Sequence, residues 1–348
     1  MAEPWFDLSA NDQREALEVA AAETGLPAYI LEKDIWVVWT LQTLGSDQLL
    51  LSTLTFKGGT SLSKAHGLID RFSEDVDLTL DIRHLLPSAG MPPAPSRKQA
   101  KQRKEDVNAQ LPHWVASTPL PLLQKAAADA GLSVRVIIKE NKASALEVRY
   151  EPIVQRPAAR APYVSPTVLL EFGAHSTGEP HGHMEIICEA ARALNDIAFP
   201  SAEPLVMDAR RTFWEKATAI HVFCRRGQWG KGDGARYARH WFDIDRLASA
   251  GVASAAIQDR ALAMAVAQQK QDFWRSRDSE NKEIDYLKAI NGDLQLVPTD
   301  AAKTVLESDY RAMTESGMLR GEVPIFNELM ERIARLEEQC NGIARSLT

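Results

Sequence analysis

From Ser9 to Leu44 apolar residues recur every three or four positions, and this pattern predicts two helices. The first, Ser9 to Glu23, opens with Ser9 three residues ahead of Asp12, an N-cap signal, and stops at Gly25-Leu26-Pro27. The second, Ala28 to Leu44, places Leu31, Ile35, Val38 and Leu41 near the helical period. The pattern then changes. "LLLSTLTF" suits a strand or a helix–strand junction, "GGTSLSKAHGL" reads as a turn entering a helix, and "VDLTLDI" alternates with period two. The prolines of "PSAGMPPAP", Pro87 to Pro95, fix φ and remove donors, so a loop is expected, followed by a charged helix in "SRKQAKQRKEDVNAQL". "LSVRVIIKE" and "SALEVRYEPI" read as a hairpin across "NKA", and "SPTVLLEFGA" as a further strand. Helical patterns follow in "DARRTFWEKATAIHVFCRR" and "RYARHWFDIDRLASAG", and in a last amphipathic stretch with Ile325, Leu329, Ile333, Leu336 and Cys340 in one stripe. The expected division is an α/β part over residues 1–205 and a helical part over residues 206–348.

Composition narrows the class of function. With 348 residues, 45% of them hydrophobic, the chain can bury a large core. Its net charge of -7 provides no global basic field, so any nucleic-acid contact has to come from a local patch. The three cysteines, Cys188, Cys224 and Cys340, are far apart and suggest neither disulfides nor zinc. No secretory leader pattern is present, nor a run of about 18 apolar residues, so the expected setting is cytoplasmic and away from membranes.

The chemistry concentrates in "TFKGGTSLSKAHGLIDRFSEDVDLTL". A glycine pair permits close backbone approach to a ligand, and the following Thr60 and Ser61 open a helix whose amides favour phosphate. The P-loop spacing GxxxxGK[ST] is absent. Asp75 and Asp77 are two apart on an expected strand and so share a face. Two neighbouring carboxylates repel unless a cation separates them, and Mg²⁺, which takes carboxylates plus substrate phosphates, fits that need in one-metal or two-metal form. Glu171 interrupts the apolar run "TVLLEFG" and is the candidate third acid, because a lone buried carboxylate is costly.

At these residues the chain resembles the AbiEii/AbiGii toxin family of nucleotidyltransferases, within the DNA-polymerase-β-type superfamily. That pattern is a glycine followed by Ser or Thr, then a helix, then a strand with Asp-x-Asp, then a later acid, and Gly59-Thr60, Asp75-x-Asp77 and Glu171 follow it in order. "LEKDIW", "RTFWEK" and "RHWFDIDRL" are also similar to segments of that family, so the resemblance extends over nearly the whole chain. It implies an α/β (α+β) nucleotidyltransferase core with a mixed sheet, completed by a C-terminal helical domain across an active-site cleft. It also implies roles by residue. Gly58, Gly59, Thr60, Ser61 and Lys216 would hold the nucleotide, Asp75, Asp77 and Glu171 the metal, and Asp243 would be an active-site acid. Asp245 competes for that last role, because on a helix the two point about 200° apart; Asp243 is preferred by motif position.

The implied reaction is Mg²⁺-dependent transfer of a nucleoside monophosphate from an NTP to an acceptor hydroxyl. The acceptor would be RNA, with tRNA as one form, and the setting a bacterial toxin–antitoxin or phage-defence pair with a separate AbiEi-type transcription regulator as antitoxin. Arg210, Arg211, Arg225, Arg226, Lys231, Arg236 and Arg239 crowd the same region as Lys216 and Asp243 and are the candidate local RNA wall. The run Arg97, Lys98, Lys101, Arg103 and Lys104 reads as a solvated helix, and His181 and His183 as a surface loop without a third metal ligand. Trp36, Trp39, Trp214 and Trp241 read as core. Two alternatives use the same acids or fewer: a small-molecule nucleotidyltransferase of the antibiotic-modifying type, and a non-catalytic nucleotide-binding regulator.

Overall fold

Ser9 caps the first helix as its sequence predicts: its hydroxyl accepts the Asp12 N–H at 3.3 Å, α1 spans Ala10–Thr24, and Gly25 ends it with φ 70°. The computed structural model describes residues 2–73, 75–87, 96–155, 165–227, 236–315 and 319–346. Residues 88–95 of the expected proline loop, and residues 228–235 with Lys231, lie outside the described residues. The chain forms two compact units. One is built from Met1–Ala65, Ser73–Pro87 and Asp106–Met207, the other from His66–Phe72, Ser88–Glu105 and Asp208–Thr348. Among the described residues no helix is long and apolar enough to cross a membrane.

The first unit holds α1, α2 (Ala28–Gly45) and α3 (Gln48–Thr53), then β1 (Leu54–Lys57), α4 (Gly58–Lys64) and β2 (Val76–Leu80). "LLLSTLTF" is thus a helix–strand junction, with Asp47 capping α3 through the Leu49 and Leu50 amides. Next come α5 (Arg97–Ser117), which belongs to this unit from Asp106 onward, α6 (Pro119–Asp129), the hairpin β3 (Val134–Lys139) and β4 (Lys142–Tyr150), and β5 (Thr167–Gly173). Two short strands, β6 (His181–His183) and β7 (Leu205–Met207), complete a seven-stranded mixed sheet in the order β3-β4-β5-β2-β1-β7-β6. β2 runs parallel to β5, and β7 parallel to β1. His181 and His183 therefore sit on an edge strand rather than in a loop.

Alternation divides the sheet into two faces. Phe56, Val76, Leu78, Leu80, Leu146, Val148, Val168, Leu170 and Phe172 are buried on one of them. There Tyr150 stacks on Trp36 of α2 at 5.3 Å and Phe172 meets Trp114 edge-on at 5.7 Å. The opposite face carries the polar alternates, and the candidate chemistry lies on it.

The second unit is helical in its main elements: α7 (Ala209–Arg226), α8 (Ala238–Ser249), α9 (Val252–Gln258), α10 (Arg260–Phe273), α11 (Asp300–Glu315) and α12 (Phe326–Ser346). Trp214 and Trp241 are buried and donate their indole N–H groups to the carbonyls of Ala256 and Leu296. Two expectations change. Ile325 is 71% exposed and precedes α12, whose apolar stripe begins instead at Phe326. Arg103 is not solvated: it is buried and lies 3.7 Å from the Asp272 carboxylate, so only part of that basic helix faces water.

Candidate active site

One cross-strand row holds two of the acids that the sequence singles out, Asp77 and Glu171. Lys57 on β1 pairs in register with Asp77 on β2, Asp77 with Glu171 on β5, and Glu171 with Ala145 on β4. Register partners on neighbouring strands project to the same face, so Asp77 and Glu171 are side by side on the polar face. Glu171 is about one-third exposed and takes an ion pair from Lys142 at 2.6 Å. Asp75 lies one residue before β2, and its carbonyl accepts a hydrogen bond from the Thr60 hydroxyl. The structure thus brings Asp77 and Glu171 together. Among the described residues no group of three His, Cys, Asp or Glu side chains could hold a metal ion by itself.

The glycine turn is built against Asp77. Gly58 has φ +80°, a conformation glycine adopts without penalty, and an added Cβ would press into the Asp77 carboxylate, 3.0 Å from Cγ. Gly59 is buried in the first turn of α4. The two hydroxyls after it turn inward: Thr60 Oγ1 reaches Ser73 Oγ at 2.8 Å and Asp75 O at 2.5 Å, and Ser61 Oγ donates to Gly58 O at 3.0 Å. Thr60 thereby clamps the turn to the start of β2, and Ser61 closes the turn on itself.

Buried charges of "LEKDIW" fix that turn from behind. Asp34 accepts from Lys64 at 2.5 Å and from the Glu189 amide at 2.7 Å, so the last residue of α4 is tied to α2. Burial alone would lower the Lys64 pKa, but Asp34 and Glu189 raise it and keep the ammonium charged. Glu32 accepts the Ile153 amide at 2.7 Å, and Lys33 donates to Ser165 O at 3.0 Å. Each buried charge is thereby matched by a hydrogen-bond partner.

In the second unit Asp243 on α8 has no exposed surface and is held by two cations. Arg71 binds it in bidentate fashion at 2.7 and 2.8 Å, and Lys216 on α7 reaches it at 2.8 Å. Burial pushes the Asp243 pKa up, yet Arg71 and Lys216 override it and hold the carboxyl well below the usual carboxylate range. Asp245 is buried as well, paired with Arg246 at 2.6 Å and Arg332 at 3.6 Å. Both faces of α8 are therefore packed, and Asp243 pairs with Arg71 rather than with an arginine of its own helix. Arg71 is the residue missed by sequence reasoning; a lone arginine within the apolar "GLIDRF" was the available signal.

Two of the four arginines of α7 are occupied within the unit. Arg210 pairs with Asp208 and Asp259, and Arg211 is buried against Glu215 and Gln269. Arg226 is exposed. Two members of the candidate basic wall, Arg210 and Arg211, are therefore committed to partners within this unit.

With these features in place, the comparisons decide the family. The family model described as "Nucleotidyl transferase AbiEii toxin, Type IV TA system" matches residues 39–332. The chain belongs to the AbiEii nucleotidyltransferase toxin family. It is a nucleotidyltransferase, and that family implies an NTP substrate and a cognate antitoxin. Among solved structures, MenT4, a nucleotidyltransferase toxin from Mycobacterium tuberculosis H37Rv, is 16% identical with a TM-score of 0.40, over 94% of this chain and 99% of that one. A structure titled putative nucleotidyltransferase from H. pylori is 15% identical with a TM-score of 0.41, over 91% of this chain and 95% of that one. No curated protein matches the chain.

Proposed function

We propose that this AbiEii member transfers a nucleoside monophosphate from an NTP to a hydroxyl of an RNA acceptor, tRNA included, in a Mg²⁺-dependent reaction. The observation that carries the reading is the Asp77–Glu171 register pair packed beside Gly58. Two carboxylates suit Mg²⁺, which is commonly held by one or two of them and completed by substrate phosphates. Asp77 and Glu171 would hold it, with Asp75 adjoining, and the ion would neutralise phosphate charge and align the attacking and leaving oxygens. Gly58 and Gly59 present backbone to the nucleotide. Thr60 and Ser61 act by holding that backbone, through their bonds to Asp75 O and Gly58 O.

By the family's pattern Lys216 would contact triphosphate oxygens, and Asp243, its partner at 2.8 Å, would keep that ammonium in place. Glu171 is the acid placed to accept the proton of the acceptor hydroxyl once Lys142 releases it. As a toxin of a type IV pair, the protein would act in the cytoplasm, in phage defence, and be opposed by an AbiEi-type regulator.

The test is incubation with each labelled NTP, Mg²⁺ and total bacterial RNA, for wild type and Asp77→Asn. Label is expected in RNA with wild type and lost by at least about a hundredfold in the variant, the scale of removing an electrostatic group from a transfer site. Melting temperature should stay within a few degrees, because Asp77 is half-buried and outside the core. Label in small metabolites and none in RNA would replace the RNA acceptor by a small-molecule one. Nucleotide binding without any transfer would make the chain a regulator.

A further inference from the structure

The polar face that carries Asp77 and Glu171 continues across the β3–β4 hairpin as a basic strip, and we propose that this strip is the track for the acceptor's phosphate backbone. The inference rests on the RNA-acceptor reading and assigns it a surface.

The placement follows from register. Glu171, Leu169 and Thr167 share one face of β5, and their partners on β4 are Ala145, Glu147 and Arg149. Glu147 and Arg149 in turn face Ile137 and Arg135 on β3. Arg135 and Arg149 are thus directly opposite one another on antiparallel strands, and both are exposed. Like charges in that position destabilise a sheet. One of the two is offset, since Arg149 pairs with Glu147 at 2.5 Å, a carboxylate that Lys139 also approaches at 3.6 Å. Among the described residues Arg135 has no such partner. Toward the acidic row the strip ends at Lys142, whose ammonium is 2.6 Å from Glu171.

Four cations, Arg135, Lys139, Lys142 and Arg149, therefore share this surface with two acids, Glu147 and Glu171. A polyanion entering along it neutralises the arginine pair first and meets Lys142 beside Glu171 last. Its phosphates also give Lys142 an alternative partner, which frees Glu171. The row of cations suits a flexible single strand, whose backbone follows positive charge independently of its sequence. Of the α7 arginines, Arg210 and Arg211 are already paired within their own unit.

The experiment measures binding of a fluorescein-labelled, unstructured oligoribonucleotide by anisotropy across a salt series. Wild type is compared with Arg135→Gln/Arg149→Gln and with Lys98→Gln/Lys104→Gln, which removes equal charge from an exposed part of α5. Each single-strand phosphate contact contributes roughly 0.7 to the salt slope, so losing two lowers the slope by about 1.4 and weakens binding about 25-fold at ~0.1 M salt. The control is expected to bind as wild type. In the transfer assay the acceptor KM should rise for the arginine variant while kcat and the NTP KM stay unchanged.

If wild type labels RNA but the arginine variant keeps its acceptor KM and salt slope, the strip is wrong and the RNA reading stands. Equal losses in the arginine variant and the control would reduce the effect to net charge and also overturn the strip. Wild type that neither labels RNA nor binds the oligoribonucleotide overturns both. Binding that depends on the arginine pair without any labelling supports the strip and removes the catalytic reading alone.

Discussion

Replacing Asp243 by asparagine tests whether that residue primarily organises its unit. The substitution keeps shape but removes the charge shared by Arg71 and Lys216, leaving two buried cations facing a neutral amide. Breaking a buried ion pair costs about 3–5 kcal/mol, and two stranded cations place this case at the upper end. That is a large part of a typical domain stability of about 5–15 kcal/mol. At about 2–4 °C per kcal/mol for a unit of this size, the melting temperature should fall by about 10 °C or more. Lys216→Met leaves the bidentate Arg71 contact intact and removes one charge-assisted hydrogen bond, so its cost is expected near 1.5–3 kcal/mol, roughly. Urea titration followed by tryptophan fluorescence reads both variants, and Arg71→Met, Asp243→Leu and their combination form a cycle in which the double change is expected to cost less than the sum of the two single ones. An Asp243→Asn protein as stable as wild type to within about 1 kcal/mol would refute the reasoning, because a buried charge of this kind cannot be removed silently.

Gly58→Ala should cost about 1–3 kcal/mol from its positive φ and displace the Asp77 carboxylate, so nucleotidyl transfer falls by about a hundredfold or more while Gly25→Ala, with open space around it, leaves activity unchanged. His221 is buried, and burial together with the Arg225 charge pushes its pKa down to about 4, with its Nδ1 accepting the Gln295 amide. Because the folded value lies below the unfolded value of about 6.5, the unfolded chain binds more protons in that window, and stability should decline by roughly 3 kcal/mol as pH falls from about 6.5 to 4. His221→Gln should flatten that part of the profile in denaturant titrations at stepped pH; an unchanged profile would mean another group controls it.

The sequence by itself determined the local elements and the identity of the acids. Period-two runs such as "VDLTLDI" and "TVLLEFG" form strands with one apolar face, because each alternation permits a single way of burying its hydrophobic side. That same alternation sets Asp77 and Glu171 on polar faces, and sheet register then makes them neighbours. Charge partners are a different matter. Arg71 finds Asp243 across 172 residues and Lys64 finds Asp34 across 30, and no local pattern encodes either meeting. Helix geometry alone separates Asp243 from Asp245 and suggests that only one of them can face the cleft; only the packed surroundings of α8 show that both are buried, each with its own cations. Thr60 and Ser61 resemble ligand hydroxyls in sequence, yet the fold brings the carbonyls of Asp75 and Gly58 within their reach and turns them inward. Local periodicity is a property of neighbouring residues, whereas the partner of a buried charge depends on which distant backbone and side chains the topology delivers to it, and that was decided in three dimensions.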